Sequence, residues 1–512
     1  MTTNHGTVLA APDAVASHSR GVGGEAPWFA VAAAAFIAAE LGVLRAWIVV
    51  TRPLWLDEIH TRLVAQSATV SEVVRNLAAG ADFNPPTVFL LYRAIGALAG
   101  GLSETTMRMV AALCVVGALT TVFVLLRERF SRPAAASGVL AVWSQSVVVN
   151  AAFEARFYGP WLLAAGCLLL ALRRAVTLER QSWGSSAALA IASIAVCTVH
   201  YFGIVSWAAA IAVAVLRVRR NGAATVRLLP ALAGPVATAA CIPLYLDQRA
   251  ALTVATWIPP VTVAGVLLLL SVTLLPPPTI AAVVCGAVES FARRPRPQPP
   301  HTERGFAIGL GPALLLGQVA VPITLAIFSL IVQPATQPRY WIVGAFAAAP
   351  IVALAVSFTG PVLATVVGVT TLVWSASTVR MERGAAEAHA RRIDEDAAVV
   401  ASSKDSGALV VARRRHTIYP LLEREPTLRS RLALFDASAT KPDDAFMAVE
   451  RDVATAHRRL FGFPRIVTPA GLDSVQTIFF LELDSTKSPT RVEFPHHEVT
   501  RIARRAYVLD RR

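Results

Sequence analysis

The sequence predicts an α-helical polytopic membrane protein of about eleven spans that ends in a small soluble α/β domain. Three observations carry this reading. Apolar stretches of spanning length recur from Trp28 to Val379 and then cease. Of the 512 residues, 55% are apolar and only 16% charged, against roughly 25% charged in soluble domains. Arginine, finally, collects in alternate loops, as it does when loop charge sets orientation during insertion.

The expected spans are 28–50, 107–126, 133–153, 157–172, 185–200, 202–216, 228–246, 276–291, 312–333, 340–357 and 361–379. Residues 1–27 are a polar tail, and the run from Trp28 to Val50 exceeds a signal-peptide core of about 7 to 15 residues, so it reads as a retained anchor. With the tail in the cytoplasm, the inside loops hold fourteen arginines, such as Arg127, Arg173, Arg217 and Arg293. Beyond the long first loop, the outside loops hold Arg156, Arg249 and Arg339. An odd number of spans then places residues 380–512 outside the cell.

The first outside loop, 51–106, is long. Its segment Pro85 to Gly101 is apolar but short, begins with Pro-Pro, and is expected to lie along the membrane surface. A second shallow helix is expected between Asp247 and Leu275, before the break at Pro276, Pro277 and Pro278. Arg293 to Pro300 reads as an extended cytoplasmic connector. From about Ala408, short apolar strands (GALVVA, TIFFLEL, AYVLD) alternate with a helical stretch, AFMAVERDVATAHRRLF, which is the pattern of a small α/β domain.

Composition also excludes. The net charge of +14 is accounted for by topology, and no basic stripe interleaved with aromatics points to nucleic acid. Cys114, Cys167, Cys197, Cys241 and Cys285 all lie in apolar stretches without a CxxC neighbour, so no zinc site or disulfide framework is expected.

Polar residues at the ends of spans are the candidates for chemistry. Asp57 and Glu58, just past the first span, are costly near lipid unless they face water, a cation or donors. A carboxylate there can take a proton from an acceptor hydroxyl, or the pair can be solvated loop residues. Asn84, in Asp82-Phe83-Asn84-Pro85-Pro86, offers a donor and an acceptor to a polar ligand, although Pro-Pro at a helix start is ordinary capping. Glu154, Arg156 and Tyr158 sit in a tight turn, where the guanidinium suits a phosphate or pairs with the acid. His200 and Tyr201 are either interfacial anchors or substrate contacts. Arg339, followed by Tyr340, is the only cation between two long apolar runs and suits a phosphate. All five clusters fall on the outer face, and they are expected to meet in one hydrated chamber beneath the outer domain. Glu40 and Arg45, inside the first span, are expected to face the bundle interior and to snorkel outward, respectively.

Taken in order, LWLDE, DFNPP before LLYR, EARFYG, HYFG and PRY resemble the GT-C glycosyltransferases, in particular the bacterial relatives of protein O-mannosyltransferases and aminoarabinose transferases. The resemblance runs from about residue 28 to 379. It implies transfer of a sugar from a polyprenyl-phosphate donor to a lipid, glycan or protein acceptor of the cell envelope, at the outer face of the cytoplasmic membrane. Asp57 would then be the general base, supported by Glu58. Arg156, Arg339 and Tyr340 would hold the donor phosphate, with Asn84, Glu154, Tyr158, His200 and Tyr201 near the substrates. Relatives often carry histidine where this chain has Asn84, which cannot titrate. The resemblance leaves a divalent metal open, with Asp57 and Glu58 as its ligands if one binds. The rival readings are a lipid or solute transporter, for which no internal repeat is visible, and a non-catalytic envelope scaffold.

Overall fold

The computed structural model describes residues 40, 42, 54–178, 181–220, 225–251, 262–267, 277–292, 309–331, 337–358, 361–402, 408–436, 445–481, 489, 494, 496–503 and 506–511. Most of these are helical. Five helical stretches are long and apolar enough to cross a membrane: Glu104–Leu126, Tyr158–Thr177, Thr225–Ala251, Leu310–Ile331 and Pro338–Ser357. Arg132–Trp143 and Ser146–Phe153 make a sixth if they are one span bent by 74°. Trp183–Val199 and Pro277–Val288 are shorter apolar helices. The expected first span and the connector from Arg293 lie outside the described residues, apart from Glu40 and Gly42. Glu40 faces inward as expected, its carboxylate accepting from Trp143 Nε1 at 2.6 Å and Ser375 Oγ at 2.8 Å.

Helices pack closely where the sequence supplies glycine. A Cβ on Gly159 would stand 2.7 Å from the Ala111 carbonyl oxygen, so the Tyr158 helix lies directly against the Glu104 helix. At the opposite end of these helices, Glu128 accepts from the Leu310 and Gly311 N–H groups at 3.1 and 2.7 Å and pairs with Arg173 at 3.1 Å. A carboxylate there satisfies open amides and the positive end of the Leu310 helix together. The bend between Trp143 and Ser146 is held by Gln145, whose Nε2 donates to the Ala345 carbonyl at 3.2 Å. It aims the Ser146 helix so that the chain emerges at Glu154, Ala155 and Arg156.

The first loop forms three short helices, Leu56–Ala65, Val70–Ala78 and Thr87–Leu98. The last of these is a helix on the apolar segment expected to lie along the membrane surface. Val88, Phe89, Tyr92 and Gly96 make its buried stripe, while Leu98 is 89% exposed.

Helix Pro361–Ser402 runs for 42 residues without a break, straight through position 380, where the sequence suggests a domain boundary. It delivers the chain to a six-stranded sheet of β1 (Leu409–Ala412), β2 (Leu432–Phe435), β3 (Arg465–Val467), β4 (Thr477–Leu481), β5 (His497–Ala503) and β6 (Ala506–Arg511). The strand order is β3-β2-β1-β4-β6-β5. The first four are parallel, and β6 and β5 extend the sheet antiparallel. Side chains alternate between faces, as a period of two requires. Leu409, Val411, Ala433, Phe435, Ile478 and Phe480 build one core. Val410, Ala412, Leu432, Leu434 and Leu481 build the other, which continues into Leu54, Leu56 and Ile59 of the first loop. The sheet domain therefore sits on the same face as that loop.

Candidate active site

The site is built on the first turn of helix Leu56–Ala65. Trp55 is extended, and its N–H donates to the Glu58 carboxylate at 3.1 Å, closing the helix start. Glu58 turns inward and is fully buried. It accepts from the Ala155 N–H at 2.8 Å and from Arg108 Nη2 at 3.2 Å. Glu58 thus ties the first loop to the Glu104 helix and to the turn that carries Arg156. Asp57 leaves the same turn toward Arg339, with its side chain 24% exposed.

Two guanidiniums converge on Asp57. Arg339 Nη1 donates to Asp57 Oδ2 at 3.2 Å. Its guanidinium lies 5.6 Å from the ring centroid of Trp55 and 5.7 Å from that of Tyr340. Arg156 Nη1 donates to the Asp57 carbonyl at 3.0 Å, to Thr61 Oγ1 at 2.7 Å and to Asp82 Oδ2 at 2.6 Å. Burial pushes the Asp57 carboxyl up, but Arg156 and Arg339, with His416 and Arg415, outweigh it and hold it below the usual carboxylate range. Arg156 is disfavoured by its own burial, yet Asp82 and Asp57 raise its pKa further, so it is a permanent cation. The half-buried Asp57–Arg339 pair, still screened by solvent, contributes on the order of 1 kcal/mol to folding. It is held by position more than by strength, and is free to exchange partners.

Asn84 is 6% exposed and serves Asp82, donating from Nδ2 to Asp82 Oδ1 at 2.6 Å. Gln248 closes the same network. Its Nε2 donates to the Asp82 and Asn84 carbonyls at 3.1 and 2.9 Å, and its Oε1 accepts from Tyr201 OH at 2.6 Å. His200 lies in an aromatic stack, 4.5 Å from Phe157, 4.8 Å from Trp161 and 5.4 Å from Tyr340. Its Nδ1 accepts from the Phe202 N–H at 3.1 Å. Tyr158 is buried behind Phe157, with ring centroids 4.2 Å apart. Glu154 caps the preceding helix, and its carbonyl accepts from the Arg156 N–H at 2.7 Å.

The five clusters that the sequence scatters over 280-odd residues therefore meet, with Asp57, Arg156, Arg339 and Asp82 innermost and the others bracing them. Arg108, Asp82 and Gln248 are the functional residues that sequence reasoning did not single out. Arg108 carried a signal, being an arginine inside an expected span. Gln248 carried almost none. The adjacent acids do not fit a metal. Glu58 is enclosed by Arg108 and an amide, facing away from Asp57, and no group of three His, Cys, Asp or Glu among the described residues is placed to hold an ion.

No protein-family model and no curated protein sequence matches the chain. Its structure, however, is similar to that of ArnT from Cupriavidus metallidurans. The apo form aligns with a TM-score of 0.57 at 15% identity, over 94% of this chain and 98% of ArnT. The form bound to undecaprenyl phosphate aligns with a TM-score of 0.56 at 15% identity, over 95% and 98%. A likeness of that extent takes in the sheet domain as well as the membrane helices, and the chain has an ArnT-like polytopic membrane fold.

Proposed function

We infer that the protein is a membrane glycosyltransferase that moves a sugar from a polyprenyl-phosphate donor to an acceptor of the cell envelope, at the outer face of the cytoplasmic membrane. The observation that carries this reading is the convergence at Asp57 of Arg339, which donates to its carboxylate, and Arg156, which donates to its carbonyl and pairs with Asp82. The ArnT fold supports it, and so does the undecaprenyl phosphate bound by ArnT itself, a carrier of the proposed class.

A donor with a lipid tail is met at the bilayer surface, with its phosphate beside Arg339 at the head of helix Pro338–Ser357. Asp57 takes the proton from the acceptor hydroxyl. The oxygen bonds to the anomeric carbon from the side opposite the carrier, the carbon–oxygen bond to phosphate breaks, and its electron pair leaves on polyprenyl phosphate. Configuration is inverted in a single displacement. Arg339 and Arg156 are already oriented toward the charge that grows on the departing phosphate, so no reorganisation is needed at that moment. Glu58 and Arg108 fix the turn that aims Asp57. Residues 1–27 lie in the cytoplasm, and residues 380–512 form the outer domain.

Purified protein given a polyprenyl-phosphate sugar should turn over, and Asp57→Asn and Arg339→Ala should abolish turnover while the chain stays folded and inserted. Full activity in both variants would remove this assignment. Carrier-independent solute flux would replace it with a transporter.

A further inference from the structure

The helices that start at Tyr158 and Gly203, beside the site, run 20 and 18 residues and end about 30 Å away, at the opposite end of the bundle. Arg174 lies in the last turn of the first, and Arg217, Arg219 and Arg220 lie in the last turn of the second. Arg227 stands on the 3₁₀ helix Thr225–Leu232. Its Nη1 donates to the Leu178 carbonyl at 2.6 Å, just past the end of the Tyr158 helix. Ala175, Val176, Val218 and Leu228 share one core. Three stretches of chain therefore bring their arginines together at this end.

Neighbouring arginines are engaged within the protein. Arg173 pairs with Glu128 at 3.1 Å, and Arg127 Nη1 donates to the Phe130 carbonyl at 2.6 Å. Arg174, Arg217, Arg219 and Arg220 have no hydrogen-bond or ion-pair partner among the described residues, and all but the half-buried Arg217 are exposed. Helix C-termini favour cations, and loop charge sets orientation during insertion. Both effects still leave like charges repelling one another without a counterion. Exposed apolar side chains stand among these arginines: Leu178, Leu216, Val226 and Leu229, with Trp183, at the start of the next helix, 87% exposed. Apolar side chains that open outward from a membrane bundle meet acyl chains, and tryptophan collects at the level of the headgroups. The arginines thus stand at the depth of lipid phosphates.

We propose that Arg174, Arg219 and Arg220, with Arg217 and Arg227, form a binding surface for anionic phospholipid headgroups in the leaflet opposite the chamber. A guanidinium meets a phosphodiester with paired, charge-assisted hydrogen bonds. The net negative charge of such a headgroup relieves the repulsion among the arginines, whereas a zwitterionic headgroup brings its own cation. Lipid fits better than a soluble acidic protein because the apolar side chains around the arginines belong in acyl chains. The surface goes beyond the transferase reading and stands on the membrane fold alone.

The test uses the full chain in detergent micelles carrying phosphatidylglycerol and phosphatidylcholine in equal amounts, with native mass spectrometry reading which lipid stays bound. Each cation beside an anionic lipid contributes about fivefold, so the wild type should retain phosphatidylglycerol over phosphatidylcholine by about tenfold or more. Arg174→Gln, Arg219→Gln and Arg220→Gln together should remove most of that preference. Lysine at the same three positions keeps the charge that sets orientation but lacks the planar fork, and should keep only part of the preference. It takes the place of the glutamine variant if that chain does not insert. Arg129, a single exposed cation beside Gly309 at the same end, is the control, and Arg129→Gln should stay within about twofold of the wild type. Equal retention of the two lipids by the wild type overturns the proposal, as does a preference that survives intact in the substituted chain or an equal loss in Arg129→Gln. Turnover is a separate measurement, and its absence counts against the transferase reading alone.

Discussion

Arg339 donates to the Asp57 carboxylate at 3.2 Å across 282 residues of sequence. The contact joins the first turn of the first loop to the head of a membrane helix, and with Arg156 it keeps Asp57 charged. The cations around Asp57 hold its carboxyl below the usual range. It is therefore ionised through the neutral range, and activity that needs the carboxylate should fall only as pH drops below about 4, the ordinary aspartate value. Arg339→Gln removes one of the cations that counter burial. Its residual kcat/KM should show an acid limb displaced to higher pH, whereas an unmoved limb would detach Arg339 from Asp57. Asp57→Asn should lower kcat by about 10²- to 10⁴-fold, the range for a lost general base, with undecaprenyl phosphate still bound.

Glu58 answers to a different measurement. Its buried pairing with Arg108 means that Glu58→Gln takes away the nearer of two carboxylates beside that guanidinium, leaving Glu104 at 3.9 Å, a change that costs about 3 kcal/mol or less. Thermal unfolding in detergent should shift down accordingly, and Glu58→Gln with Arg108→Met should recover part of the loss. A Glu58→Gln protein with unchanged unfolding but no turnover would instead make Glu58 a participant in the chemistry.

The sheet domain is latched to the first loop by His457. Its Nε2 donates to the Ala81 carbonyl at 2.9 Å, and its Nδ1 shares a hydrogen bond with Tyr419 OH at 2.6 Å. His60 stands edge-on to it at 4.3 Å. Burial, helped by Arg415, brings His457 down to about 3, against the pull of its Ala81 bond. Burial first, then His457 and Arg415, takes His60 well below its usual value. A folded pKa below the unfolded one of about 6.5 means stability that is complete above that pH. It is lost as pH falls from there toward the folded value, by on the order of 1 kcal/mol per pH unit for each histidine. Hydrogen exchange around Ala81 and Asp82 should therefore quicken between pH 6.5 and 4.5. In His457→Phe that added pH dependence should shrink.

Much of this was legible in the sequence because lipid leaves few alternatives. Helices must satisfy their own backbone there, so long apolar runs mark the five helical stretches of spanning length among the described residues, short of the eleven expected, and polar residues at helix ends pointed to Asp57, Arg156 and Arg339, which the fold brings together. Helix Ala445–Phe461 coincides with the stretch its amphipathic pattern marked out. The strands β2 and β3 did not stand out, since LALF and RIV are too short for periodicity to speak. Asp82 was read with its neighbours as loop because nothing local shows that Arg156, 74 residues on, completes it. The effect of Arg415 on Asp57 was hidden for the same reason: a three-arginine run looks like solvated surface until the fold brings it near that carboxylate.

The glycine of HYFG gives the last prediction. Gly203 begins helix Gly203–Arg220, and its N–H donates to the His200 carbonyl at 2.8 Å. A Cβ at this position would run into the Val196 carbonyl oxygen of the preceding helix. Backbone cannot yield as a side-chain tip can, so Gly203→Ala must push the turn outward. That turn carries His200, whose ring backs Tyr340, and Tyr201, which holds Gln248 beneath Asp82 and Asn84. Overpacking of this kind costs about 1 to 3 kcal/mol, and the displacement should reach Arg339 through Tyr340. Gly203→Ala should therefore lower the unfolding temperature and raise KM for the donor together. Gly384, in an exposed stretch of helix Pro361–Ser402 with nothing within 4 Å of a built Cβ, is the control. Alanine there should leave the donor KM alone and stabilise by about 0.5 to 1 kcal/mol through helix propensity. Equal responses at the two glycines would show that the HYFG turn does not position the site.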